Sequence, residues 1–166
     1  MRCCKILFAT LCVLMVSGQA ESFPSFINDP TIAERIVAEN QLAIAFLGKM
    51  PIVPGHTLIC PKREIAKSEE LTFEEWRDIL DLKERVCKKL MGVFQAEGFN
   101  FAWNEGDLAG QSVAHFHLHV LPRKAGDAGI LQYEPRVFLY RPGIRDISPQ
   151  EELSSIATLL RVSKTE

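Results

Sequence analysis

The sequence predicts an α+β domain, and three features predict it. Two short apolar runs of strand length, 42–47 and 56–61, flank a proline-glycine turn. One long segment, 73–96, carries a helical repeat between capping signals. The stretch 111–123 alternates histidines with apolar residues, as an extended strand with two different faces would.

In order along the chain, Arg2 and Lys5 precede an apolar centre from Ile6 to Val16, and Gly18 and Ala20 place small residues where a signal peptidase reads. This predicts a signal peptide over 1–20 and an exported, periplasmic or secreted protein. The other readings are an uncleaved anchor, or a start annotated too early, with initiation near Met15 and a cytoplasmic product. Asn28-Asp29-Pro30 is a turn or helix-start cue, followed by a short helical turn and extended chain at 35–38. The run 42–47 reads as a strand ending at Gly48. Pro54-Gly55 suits a type II turn, which makes antiparallel partners of this strand and 56–61.

The long helix is predicted over 73–96. Thr72 and Glu75 form a capping box, and Gly98 follows the end. Trp76, Ile79, Leu80, Cys87, Leu90, Met91 and Phe94 recur at helical spacing, and Leu82, Val86 and Val93 widen the stripe, as either a broad core face or a dimer contact would require. Residues 99–104 alternate as a strand, and 105–110 form a loop that leads into the histidines. A polar loop over 124–129 and a short strand at 137–140 follow. A last helix is capped by Ser148, with Pro149 in its first turn, Glu151 completing the capping box, and Leu153, Ile156, Ala157 and Leu160 on one face.

At 166 residues and 47% hydrophobic, the chain holds one domain with a proper core. A net charge of −2 and no long basic run argue against a nucleic-acid footprint, so an anionic ligand must be held locally. No apolar run reaches the roughly 20 residues of a membrane span, which leaves no membrane contact after signal cleavage. Of five cysteines, Cys3, Cys4 and Cys12 fall in the expected signal, and Cys60 and Cys87 read as buried thiols rather than a bridge.

The chemistry concentrates at His115, His117 and His119. On a strand they share one face while Phe116, Leu118 and Val120 fill the other. Three neighbouring imidazoles bring six ring nitrogens that ordinary core packing would leave unsatisfied. Asn104, Gln111 and Ser112 come near them through the preceding hairpin, where amides and a hydroxyl suit phosphate oxygens or, alternatively, serve turn chemistry. His56 opens the strand after the turn.

The segment from His115 to Leu121 matches the His-x-His-x-His-x-x motif of the histidine triad superfamily of nucleotide hydrolases and transferases. Asn104-Glu105-Gly106 and Ala109-Gly110-Gln111-Ser112-Val113 resemble the histidine triad nucleotide-binding proteins. Leu121-Pro122-Arg123-Lys124-Ala125-Gly126-Asp127 resembles the fragile histidine triad branch, the diadenosine polyphosphate hydrolases, and the stretch from Pro54 to Lys62 resembles a second family block. The likeness covers 23–131, leaving 132–166 as a C-terminal extension with a helix.

This resemblance implies an α+β HIT-like fold with an antiparallel sheet of about five strands, paired into a homodimer. It also implies His117 as the nucleophile that forms a nucleotidyl-histidine intermediate with the α-phosphate of a purine nucleotide or dinucleoside polyphosphate, with no cofactor or metal required. Substrate binding falls by resemblance on His119, Gln111, Ser112 and Asn104, with His115 orienting its neighbours and His56 beside the triad. At Leu47-Gly48-Lys49 the chain departs from relatives that place an Asp or Asn there to grip the ribose. Two other functions stand beside this one. A nucleotide-binding or interaction protein would bind without turnover, and a histidine-ligated zinc hydrolase would lose activity to chelators.

Overall fold

The computed structural model describes residues 29–127 and 147–163. The signal expected at 1–20 and the strand expected at 137–140 lie outside the described residues. Helix α1 (Pro30–Ala33) leads into a hairpin of β1 (Ile36–Glu39) and β2 (Ala43–Leu47), and β3 (Thr57–Pro61) follows after the turn in which Gly55 takes a φ of +83°. Helix α2 (Phe73–Phe94), β4 (Gly98–Ala102), β5 (Leu118–Arg123) and helix α3 (Gln150–Val162) complete the order. The five strands form one sheet in the order β1-β2-β3-β5-β4, and every pairing is antiparallel.

The sheet has two dissimilar faces. Ala43, Ala45, Leu47, Ile59, Leu118 and Val120 point to α2 and α3 and join one large buried cluster. The opposite face carries Phe46, Leu58 and His119, which are consecutive partners across β2, β3 and β5 and so line up in one cross-strand row. Burial of the first face against the helices therefore presents the second as the floor of a cleft. Among the described residues, no helix is long and apolar enough to cross a membrane.

Helix α2 begins as its sequence dictates, with Thr72 Oγ1 accepting from the Glu75 N–H and Glu75 accepting in return from the Thr72 N–H. Two details differ from expectation. The helix stops at Phe94 because Gln95 turns left-handed at φ 55°, while Gly98 opens β4. The buried stripe is Ile79, Leu82, Val86 and Leu90, whereas Leu80 and Met91 are 48% and 46% exposed. Leu82 and Val86 are thus the centre of the packed face and not its margin, because the helix is also rotated by polar ties. Asp78 Oδ2 accepts from the Leu42 N–H, and Glu75 forms a bidentate pair with Arg63.

Helix α3 also departs at its start. Pro149 occupies the N-cap position and no side chain caps the helix, so the expected Ser148 and Glu151 box is absent. Its hold on the domain comes from elsewhere. Leu153, Ala157 and Leu160 enter the main core, and Lys89 Nζ donates to the carbonyls of Leu160, Arg161 and Ser163 at its C-terminal end. Helix α3 of the C-terminal extension is thereby part of the same core as the sheet.

The stripe assignment sets one expectation. Leu82→Ala should cost about 2–5 kcal/mol, and Leu80→Ala under about 1 kcal/mol, in equilibrium urea unfolding. Equal losses at the two positions would contradict this face of α2.

Candidate active site

The histidine segment is not one strand. Only His119 lies within β5, and His115 and His117 precede it in irregular chain. The expected shared strand face is corrected accordingly, and two backbone hydrogen bonds are the cause. The His115 N–H donates to the Val113 carbonyl at 2.8 Å and the Phe116 N–H to the Ile65 carbonyl at 2.7 Å, which draws the backbone off the sheet ladder. Sidedness survives the change, since Phe116, Leu118 and Val120 are buried in the main core. The His117 and His119 rings meet edge to face, with centroids 4.9 Å apart.

Hydrogen bonds to carbonyls assign the ring tautomers, because a carbonyl only accepts. His115 Nε2 lies 2.9 Å from the Pro61 carbonyl oxygen and therefore carries the proton. His117 Nδ1 lies 2.8 Å from the His115 carbonyl oxygen and is likewise the donor, so the lone pair of a neutral His117 sits on Nε2. A third assignment passes through two rings. The Ile52 N–H donates to His56 Nδ1 at 3.2 Å, so a neutral His56 is protonated at Nε2 and donates to His119 Nδ1 at 2.9 Å. His119 then carries its own proton on Nε2. The His56 and His119 rings are also stacked, at 5.1 Å between centroids.

An open cleft of about 340 Å³ brings His117, His119, His56 and Ser112 together with Phe46, Leu58 and Arg35. Of the residues singled out from sequence, Asn104, Gln111 and His115 do not line it. His115 is buried behind His117. The Gln111 amide is engaged at both ends, donating to the Ala66 carbonyl at 2.8 Å and accepting from the Gly106 N–H at 2.7 Å. Asn104 Nδ2 reaches the Gly110 carbonyl at 3.4 Å. Both side chains thus brace the loop that carries Ser112.

The departure at Gly48 has a steric counterpart, since a Cβ there would stand 3.3 Å from His56 Nδ1. Asp29, Lys49 and Arg35 also line the cleft and escaped the sequence reading. Asp29 read as a turn residue, which it is, since its Oδ1 accepts from the Thr31 N–H at 2.9 Å. The available signal for Arg35 was a lone cation leading directly into the apolar run of β1. Among the described residues, no group of three or more His, Cys, Asp or Glu side chains is arranged to share a metal ion. Cys60 and Cys87 are free thiols, and burial raises both, Cys87 to about 11.

A five-stranded antiparallel sheet, one long helix behind it and three alternate histidines leading into β5 define a histidine triad domain. The chain belongs to the HIT domain family, whose model matches residues 29–126. It is 38% identical over 87 residues to a bis(5'-adenosyl)-triphosphatase of Dictyostelium discoideum, an alignment covering 52% of this chain and 58% of that protein. It is 37% identical over 94 residues to an adenosine 5'-monophosphoramidase of Schizosaccharomyces pombe, covering 57% and 68%. The match thus spans roughly half to two-thirds of these curated relatives. Among solved structures, a Hit-like protein from Bartonella henselae superposes with a TM-score of 0.61 at 28% identity, covering 76% of this chain and 84% of that one.

Burial lowers the pKa of His115, more than its hydrogen bond to the Pro61 carbonyl raises it. The unfolded chain, with a histidine pKa of about 6.5, then takes up a proton that the folded chain resists. Stability should therefore fall as pH drops below about 6.5, by up to about 1.4 kcal/mol per pH unit from this group. Urea midpoints compared at pH 7.5 and 5.5 should show a smaller difference in His115→Asn than in the wild type.

Proposed function

We propose that this protein is a nucleotidyl hydrolase that cleaves a phosphoanhydride or phosphoramidate at the α-phosphate of a nucleotide. The observation that carries the reading is the His117 Nδ1–H bond to the His115 carbonyl, which leaves Nε2 of the neutral ring as the nucleophilic lone pair. Nε2 attacks the α-phosphorus in line, a P–N bond forms, and the bond to the leaving group breaks with its electron pair. The carbonyl that accepts from Nδ1–H then stabilises the cationic phosphoimidazole ring. Water attacks the same phosphorus in a second displacement, releasing the nucleoside monophosphate and restoring the neutral ring.

His119 supplies a donor to the phosphate through Nε2–H, and His56 keeps that proton in place by occupying Nδ1. An aimed donor of this type contributes a few kcal/mol to the transition state. Ser112 lines the cleft where it can reach the phosphate or the leaving group. Gln111 and Asn104 act through the loop they brace, and His115 acts through His117. Proton transfer and charge stabilisation come from these side chains, so the proposal requires no metal. The relatives' names, a bis(5'-adenosyl)-triphosphatase and a monophosphoramidase, support both leaving-group classes. The signal pattern over 1–20 supports an exported location for this chemistry.

Two displacements predict net retention of configuration at phosphorus, measurable with a chiral α-phosphorothioate substrate, and one displacement would give inversion. His117→Ala should lower kcat/KM by on the order of 10³-fold or more. Unchanged turnover in that variant, or inversion in the wild type, would remove His117 from the role assigned.

A homodimer belongs to the same proposal. Among the described residues strand β4 is an edge of the sheet, Phe101 and Trp103 are 41% and 43% exposed, and Leu80 and Met91 of α2 are exposed as well. Unpaired edge strands with apolar side chains are templates for pairing. Sedimentation should give a dimer for the wild type and a monomer for Phe101→Glu, and a wild-type monomer at micromolar concentration would exclude this contact.

A further inference from the structure

The end of the cleft away from His117 holds a buried cation that the proposed chemistry does not use. Arg35 is only 3% exposed, yet it lines the cleft. Its guanidinium lies over the Phe46 ring, 5.5 Å from the centroid. Nε donates to the Thr31 carbonyl at 3.0 Å, Nη1 to the Leu47 carbonyl, and Nη2 reaches Thr31 Oγ1 only at 3.4 Å. Of five N–H donors, three are directed at protein, and among the described residues each terminal nitrogen keeps one more. Among the described residues no carboxylate forms an ion pair with it. Asp29, held at the N-cap of α1, favours the charged guanidinium through space and forms no ion pair with it.

Register gives the distance. Phe46, Leu58 and His119 are successive cross-strand partners, so at a strand spacing near 4.8 Å the Phe46 and His119 backbones stand about 10 Å apart. If the α-phosphate lies at His117 and His119, the nucleoside runs along this row and its base meets Arg35. We propose that Arg35 selects the base, favouring a 6-oxopurine nucleotide, guanine or hypoxanthine, over adenine. Guanine presents two neighbouring acceptors, O6 and N7, to a donor-only fork, while adenine sets its N6 amino donor against it. Phe46 beneath the guanidinium and the Leu47 and Thr31 carbonyls hold the fork in place, so little ordering remains for the ligand to impose. This assignment rests on the placement of the phosphate at the histidines. It departs from the adenosine named for both relatives above.

Calorimetric titration of the full chain with GMP, IMP, 7-deaza-GMP and AMP tests it without turnover. GMP and IMP should bind alike and roughly 5- to 100-fold more tightly than AMP, the range of one bidentate contact. 7-Deaza-GMP, which lacks the N7 acceptor, should fall between them. Arg35→Met should bring the four within about twofold by weakening GMP and IMP, and Arg35→Lys, which keeps the charge and loses the fork, should restore little of the preference. AMP binding as tightly as GMP to the wild type overturns the assignment, as does a preference that survives in Arg35→Met. The wild-type ligand series decides the matter even if the variants do not fold. A guanine preference in a protein without turnover would sink the hydrolase reading and keep this one; turnover without the preference would do the reverse. If none of the four nucleotides binds, both fall.

Discussion

A backbone carbonyl of the histidine segment itself governs the site. The His115 carbonyl accepts from His117 Nδ1, and this one contact, at 2.8 Å, decides which nitrogen of His117 keeps a lone pair. The carbonyl is available because the chain at His115 has left the sheet ladder. Had 115–117 continued β5 as a regular strand, a neighbouring strand would have competed for it. The irregular approach to β5 is therefore part of how the nucleophile is prepared.

The second ring depends on a longer chain of contacts. His119 takes its tautomer from His56, and His56 takes its own from the Ile52 N–H. These three residues meet because Leu58 pairs with His119 and the turn at Gly55 folds residues 52 and 56 together. Gly48 leaves room for the His56 ring. The relay thus rests on sheet register, and the register rests on the burial of Ile59, Leu118 and Val120 against α2 on the other face. A slip of one residue would bury His119 and expose the core side chains.

Much of the architecture was legible. Strand lengths, the α2 capping box and the apolar partners of the histidines are local properties, set within a few residues by propensity, turn chemistry and period. The errors were also of one type. Leu80 and Met91 fit a helical repeat as well as Leu82 and Val86 do, and only the ties of Asp78 and Glu75 to other segments rotate α2 to its actual face. Pro149 displaces the cap expected of Ser148, because α3 is held by Lys89 and by core contacts rather than by its own first turn.

The sequence by itself determined that three alternate histidines stand opposite three core residues, since sidedness follows from spacing along an extended chain. Tertiary structure decided what each ring does. Proton placement on His119 depends on a partner 63 positions away, and on His115 one 54 positions away. The engagement of Gln111 with Ala66 and the seating of Arg35 over Phe46 belong to the same level. Periodicity records which side a residue faces, but the identity of a hydrogen-bond partner is settled only when distant segments are brought within about 3 Å of each other.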